Sequence, residues 1–91
     1  MLQTISIIIT GKVQGVFFRQ SSSEKASGLG ITGKVMNLPD GNVQIIATGT
    51  REKLNLLIDW CKQGPPKAKV TGVDVKELSL QMFDHFIIER Y

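Results

Sequence analysis

One stretch, Gly11 to Arg19, constrains most strongly how this chain can fold. It reads G-K-V-Q-G-V-F-F-R and follows an alternating apolar run, Ile5 to Thr10, which is typical of a β-strand. Glycine permits left-handed backbone and close approach of a ligand, and successive N–H groups in such a turn can converge on an anion. A helix beginning here would add N–H donors and the positive end of its dipole. The stretch therefore predicts a strand, an anion-binding loop and a helix, with Arg19 offering donors that match phosphate.

The rest of the chain alternates between strand and helix patterns. The strands are predicted at Gln3–Thr10, Ile31–Asn37, Asn42–Thr48, Val70–Leu78 and Phe86–Arg90, with a connecting loop at Ser79–His85. The first helix is predicted from Phe18 to Gly28 or Leu29, and Gly30 suits the left-handed position after its end. The second should begin after Thr50 as N-cap and end near Gly64, because apolar residues recur at helical spacing: Leu54, Leu57, Ile58 and Cys61.

Two local patterns affect the boundaries of these elements. Ser21-Ser22-Ser23-Glu24 fits a capping box, which would start the first helix three residues later. Leu38-Pro39-Asp40-Gly41 predicts a tight turn that joins the second and third strands into a hairpin. Gly49 is expected to end the third strand.

The predicted order is βαββαβ with a short final strand. This order is typical of an α+β, ferredoxin-like α/β sandwich with a mostly antiparallel sheet and two helices on one face. Ninety-one residues suffice for one domain, residues 1–91. The fold alone hosts many functions and decides none of them.

Composition excludes several classes of function. The chain carries a net charge of +3, one cysteine and one histidine. It therefore has no internal disulfide and no cysteine-rich metal site, and a nucleophilic triad would have to use His85. No apolar run reaches the ~20 residues of a membrane span, and Met1–Thr4 has no basic leader character, so we expect a cytoplasmic protein without membrane contact. Without an aromatic-rich basic stripe, nucleic acid is not an expected partner.

Two motifs resemble those of the acylphosphatase family, small enzymes that hydrolyse acyl phosphates. Residues 11–19 match the family's G-x-V-Q-G-V-x-F-R segment. Residues 33–43, G-K-V-M-N-L-P-D-G-N-V, resemble its G-x-V-x-N-x-x-D-G-x-V segment. The resemblance extends from about Ile5 to Arg90, nearly the whole chain.

The resemblance implies a site. The family's phosphate-binding loop corresponds to Gln14, Gly15, Val16, Phe17 and Phe18, its catalytic arginine to Arg19, and the asparagine that orients water to Asn37. It implies a small acyl phosphate as substrate, no phosphoenzyme, no metal and no cofactor, and we expect a monomer. Some members carry a hydroxyl residue after the asparagine, where this chain has Leu38, so any help from that hydroxyl is missing.

Simpler interpretations stand beside these. Arg19 alone is more often a surface or capping residue, and Asn37 alone a turn residue. Three functions remain in competition: an acylphosphatase, a phosphate-binding module of the same fold without useful turnover, and a ferredoxin-like nucleic-acid binder. The last would need exposed aromatic residues on the sheet, where the strands offer aliphatic ones.

Overall fold

The structure, a computed structural model, describes residues 1–90. Tyr91, the last residue of the predicted domain, lies outside the described residues. Five strands and two helices follow in the order β1 (Leu2–Lys12), α1 (Phe18–Gly28), β2 (Thr32–Asn37), β3 (Val43–Thr50), α2 (Arg51–Gln63), β4 (Lys69–Leu78) and β5 (Phe86–Ile88). The α+β class and the βαββαβ order with a short final strand are confirmed.

The strands form one sheet in the order β4-β1-β3-β2-β5. Every pairing is antiparallel except the one between β2 and β5. The parallel pair matters for the site, because the C-terminal ends of parallel strands lie at the same edge of a sheet. Residues that follow β5 are thereby brought beside residues that end β2.

The core lies between the sheet and the two helices. Ile7, Val35 and Ile45 are fully buried on the sheet side. Leu54, Leu57 and Cys61 face them from α2, as the helical spacing predicts. The rings of Phe18 in α1 and Trp60 in α2 meet edge to face, with centroids 5.4 Å apart.

Several predicted boundaries need correction. Helix α1 begins at Phe18, as predicted, so the alternative later start from a capping box at residues 21–24 does not apply. Gly49 does not end the third strand, because it pairs with Gln3 and β3 continues to Thr50. A long antiparallel partner holds the glycine in extended backbone there. Strand β1 runs two residues past Thr10, and its pairing with β4 shifts register between Thr10 and Gly11, where Thr71 of β4 is the extra residue.

The Ser79–His85 loop crosses the sheet face opposite the helices and is tied to it. Thr4 and Thr48, a cross-strand pair, share a hydrogen bond of 2.7 Å between their hydroxyls. The Gln81 backbone N–H donates to the Thr4 hydroxyl at 2.9 Å, and the Thr48 hydroxyl donates to the Gln81 carbonyl at 2.7 Å. Two buried hydroxyls therefore find partners and fix the path of the chain into β5.

Candidate active site

The loop between β1 and α1 is held in place by its own apolar residues. Val13, Val16 and Phe18 are buried in the core, with at most 4% of their surface exposed. Gly15 and Phe17 alternate with them and are exposed, whereas Gln14 is half-buried. Gly15 has a φ of 74°, a left-handed conformation that favours glycine. The buried residues thus anchor a short turn whose backbone is presented to the solvent.

Helix α1 begins without a side-chain cap. Its N-cap is Phe17, which has the left-handed conformation φ 66°, ψ 24° and accepts the first helical hydrogen bond from Ser21. A phenylalanine cannot accept from the first N–H groups, and the first turn carries no acidic residue. The N–H groups of the first helical turn have no acceptor within a helix. The N-terminus of α1 therefore keeps donors and a positive dipole end for an anion.

A cavity of about 370 Å³ opens at this helix N-terminus. Arg19 from the first turn of α1 and Asn37 from the end of β2 both line it. Gly15, Phe17 and Phe18 also line it, whereas Gln14 and Val16 do not. The fold therefore brings the two motifs, which are far apart in sequence, to the walls of one cavity.

The side chain of Gln14 makes contacts that the sequence did not predict. Its side-chain Nε2 donates to the carbonyl oxygens of Leu38 and Asn42, each at 2.8 Å. An amide nitrogen has two hydrogens, and the two carbonyls engage both. These carbonyls flank Asn37, since Leu38 follows it directly and the Leu38 N–H donates to the Asn42 carbonyl at 2.8 Å. Gln14 thus joins the loop to the β2–β3 hairpin.

Four further residues line the cavity without having been predicted: Val13, Gln20, Ile88 and Arg90. Arg90 matters most, because it places a second guanidinium beside the cavity. The parallel pairing of β5 with β2 explains its position, and the Glu89 N–H donates to the Val35 carbonyl at 2.9 Å just before it. The signal in the sequence was the short final strand, but its partner could not be deduced from pattern alone.

The cavity walls are positively charged. Arg19 and Arg90 supply two cationic groups, and no aspartate or glutamate is among the cavity-lining residues that the structure describes. Two positive charges and a helix N-terminus favour an anion of high charge density, such as a phosphoryl group.

The chain's only cysteine and only histidine lie elsewhere. Cys61 is fully buried in α2, and burial raises the pKa of its thiol to about 12. A thiolate nucleophile is therefore not available there at neutral pH. His85 is exposed and borders a separate depression of about 260 Å³ together with Asp84. Neither residue lines the cavity that holds Arg19.

The described residues contain neither a cluster of metal ligands nor a helix that could span a membrane. Among residues 1–90, no three side chains of the types His, Cys, Asp or Glu are grouped so that they could hold a metal ion. Neither α1 nor α2 is long and apolar enough to cross a membrane.

The chain resembles known proteins over most of its length. The family model for acylphosphatase matches residues 5–88. The acylphosphatase of Acaryochloris marina is 51% identical over 86 residues, which cover 94% of this chain and 92% of that protein. The solved acylphosphatase structure from Bacillus subtilis superposes with a TM-score of 0.94 at 37% identity, covering 99% of this chain and 100% of the other. That from Coxiella burnetii gives 0.93 at 39% identity, covering 97% and 93%.

The chain belongs to the acylphosphatase family. Its activity is that of a hydrolase that cleaves the carboxyl–phosphate bond of an acyl phosphate into a carboxylate and inorganic phosphate. A phosphate-binding module without turnover is not favoured by these relatives.

Proposed function

We propose that residues 14–19 hold the phosphoryl group of a small acyl phosphate, that Arg19 stabilises its charge, and that Asn37 orients the attacking water. The observation that carries this assignment is the single cavity lined by both Arg19 and Asn37. The uncapped N-terminus of α1 also lines this cavity, through Phe17 and Phe18. These are the parts that phosphoryl transfer requires, since catalysis there consists mainly of positioning and electrostatic stabilisation.

Binding of the phosphoryl group draws on backbone and side chain together. Backbone N–H groups of the loop and of the first turn of α1 donate to the phosphoryl oxygens. Arg19 adds a planar pair of donors, whose charge-assisted hydrogen bonds are about twice as strong as neutral ones. As the bond to the leaving group lengthens, charge gathers on the equatorial oxygens, and these fixed donors stabilise it.

The reaction itself needs one positioned water. The side-chain amide of Asn37 holds that water so that its oxygen attacks phosphorus in line with the leaving group. The new P–O bond forms while the bond to the carboxylate oxygen breaks, and the electron pair leaves with the carboxylate. Because a carboxylate is a weak base, it departs without a strong general acid. No phosphoenzyme and no metal ion is part of this scheme.

Phe17 and Arg90 are available to the rest of the substrate. Phe17 lines the cavity and is 73% exposed, so the acyl group can pack on its ring. Arg90, which also lines the cavity, adds positive potential there and raises the local concentration of anionic substrates.

Metal-free hydrolysis of benzoyl phosphate, with a chelator present, tests the assignment. We expect Arg19→Ala and Asn37→Ala each to lower turnover by about a hundred- to a thousandfold, the usual cost of removing one preorganised donor. Inorganic phosphate should still bind to Asn37→Ala and should bind much more weakly to Arg19→Ala, because, of these two side chains, only that of Arg19 contacts the phosphoryl group.

Two exposed residues of α2 provide matched controls, Arg51→Ala and Asn55→Ala, which remove the same side chains outside the cavity. Both should retain wild-type turnover. Wild-type turnover in Asn37→Ala would remove that residue from the mechanism, and phosphate affinity unchanged in Arg19→Ala would remove the arginine.

A further inference from the structure

Gln14 connects the two halves of the active site through its side chain. Its Nε2 donates to the carbonyls of Leu38 and Asn42, both at 2.8 Å. The residue belongs to the loop that is proposed to bind phosphate, whereas its two acceptors belong to the hairpin that carries Asn37.

The two acceptor carbonyls lie close to Asn37 and can therefore influence the orientation of its side chain. Asn37 is the last residue of β2 and pairs with Val43 across the hairpin. Leu38 and Asn42 are the first residues past each strand end, so their carbonyls bracket this pair. A side chain that engages both carbonyls fixes the height and tilt of the hairpin end relative to the loop. We propose that Gln14 is a positioning residue, which acts through Asn37 to hold the attacking water in line with the phosphoryl group.

The hairpin does not need Gln14 in order to fold. The Asn42 carbonyl also accepts from the Leu38 N–H at 2.8 Å, and the Leu38 carbonyl accepts from the Gly41 N–H at 3.1 Å. Asp40 caps the turn by accepting from the Asn42 backbone N–H at 3.0 Å. Each carbonyl therefore keeps a partner when Gln14 is replaced. The hydrogen bonds of Gln14 add a connection between two segments that are already formed.

This inference rests on the proposed roles of Arg19 and Asn37 and predicts a division of effects. Gln14→Met keeps the length of the side chain and removes its donors. We expect kcat to fall by about ten- to a hundredfold, because misplacement by about 1 Å can cost that much in rate. Affinity for inorganic phosphate, measured as inhibition, should change less than about threefold, since the loop backbone and Arg19 remain.

A double-mutant cycle with Asn37→Ala, measured in single turnovers, tests whether Gln14 acts through Asn37. If it does, Gln14→Met should cost nothing further once Asn37 is replaced. An equal additional loss in that background would overturn the proposal, as would a loss of phosphate affinity as large as the loss in kcat. If Asn37→Ala alone kept wild-type turnover, the proposed role of Asn37 would be wrong, and the role of Gln14 that depends on it would be wrong as well. The single variant Asn37→Ala therefore distinguishes a failure of the proposed function from a failure of this inference.

Gln14→Glu supplies a second and reversible variant. At neutral pH its carboxylate only accepts hydrogen bonds and faces two carbonyl oxygens, so kcat should be lower than in Gln14→Met. Protonation restores one O–H donor, so the ratio of its kcat to that of the wild type should rise as the pH falls below the carboxyl pKa. A ratio that does not change with pH would contradict the role of the donated hydrogen bonds. Thermal unfolding of each variant should confirm that it is folded under the assay conditions.

Discussion

The two helices of this enzyme begin in opposite ways. Helix α2 has Thr50 as N-cap, with extended backbone at φ −72° and ψ 154°, and the Thr50 hydroxyl accepts from the Lys53 N–H at 3.4 Å. Glu52 places a negative charge in its first turn. Helix α1 has Phe17 as N-cap in a left-handed conformation, with no side-chain cap and no acidic residue.

The helices also differ in packing, and again α2 has the more stabilising arrangement. The residues that α2 buries are Leu54, Leu57 and Cys61, whereas those that α1 buries are Phe18, Ser22 and Ala26. A buried serine contributes no apolar surface, and Ser22 uses its hydroxyl to bond the Arg19 carbonyl at 3.1 Å. Helix α2 thus carries the features that stabilise a helix, and the start of α1 lacks them.

The difference indicates that α2 mainly stabilises this small domain, whereas the start of α1 serves the candidate active site. A left-handed phenylalanine costs about 1–2 kcal/mol in backbone strain. A polar cap on α1 would stabilise the helix, but it would occupy the N–H groups that are proposed to bind the phosphoryl group. The strained, uncapped start is therefore consistent with a site kept open for an anion. Stability of the helical layer must come chiefly from α2.

The largest expected effect on stability lies in α2. Leu57 is fully buried, so Leu57→Ala should lower the free energy of unfolding by about 2–5 kcal/mol through lost burial and a residual cavity. Chemical denaturation measures this loss, and activity per folded molecule should be unchanged. Leu56→Ala is the matched control, because Leu56 is 50% exposed on the same helix and should change stability by no more than about 0.5 kcal/mol. A small loss for Leu57→Ala would mean that the core does not depend on α2.

Phe17→Asp should give helix α1 the negatively charged N-terminus that it lacks. A carboxylate near a helix N-terminus contributes about 0.3–1 kcal/mol to stability, and the ring it replaces is mostly exposed and packs little. The same carboxylate repels the phosphoryl group, so inhibition by inorganic phosphate should weaken about tenfold or more. Phe17→Asn is the matched control, because it removes the ring and tolerates left-handed backbone without adding charge.

The pair of variants separates charge from shape. Phosphate affinity should be lost in Phe17→Asp and largely retained in Phe17→Asn, as titrations with phosphate would measure. An equal loss in both would show that the ring itself, rather than an open anion site, supports binding at the start of α1.

Much of the fold could be predicted because local signals agreed with one another. The apolar spacing of α2 and the cap at Thr50 pointed to the same boundaries, and the Pro-Asp-Gly turn marked the hairpin that the structure contains. Gly49 was misjudged because a local preference against glycine in strands was overridden by pairing with β1. The start of α1 at Phe18 was predicted, and the alternative start from the capping-box serines fails because buried Phe18 and the loop before it fix where the helix begins.

The candidate site could be predicted only in part. Arg19 and Asn37 stand in motifs that can be recognised one at a time, and the structure places both on one cavity. Arg90 was missed because its place depends on the parallel pairing of β5 with β2, a long-range contact that leaves no local pattern. The side-chain contacts of Gln14 were missed for the same reason, since the resemblance indicated a backbone role and the acceptors lie 24 and 28 residues away.

Thr50→Ala should have the smallest effect and completes the comparison. It removes the cap of α2, which typically costs about 1 kcal/mol of stability. Because the hydrogen bond to Lys53 is long, at 3.4 Å, we expect a loss below that value. Thr50→Ser is the matched control and should retain most of that stability. Because the start of α2 does not line the cavity, kcat and phosphate affinity should be unchanged in both variants. A loss of activity in Thr50→Ala that Thr50→Ser does not share would mean that the two helix starts are coupled, and that the cap of α2 also positions the catalytic loop.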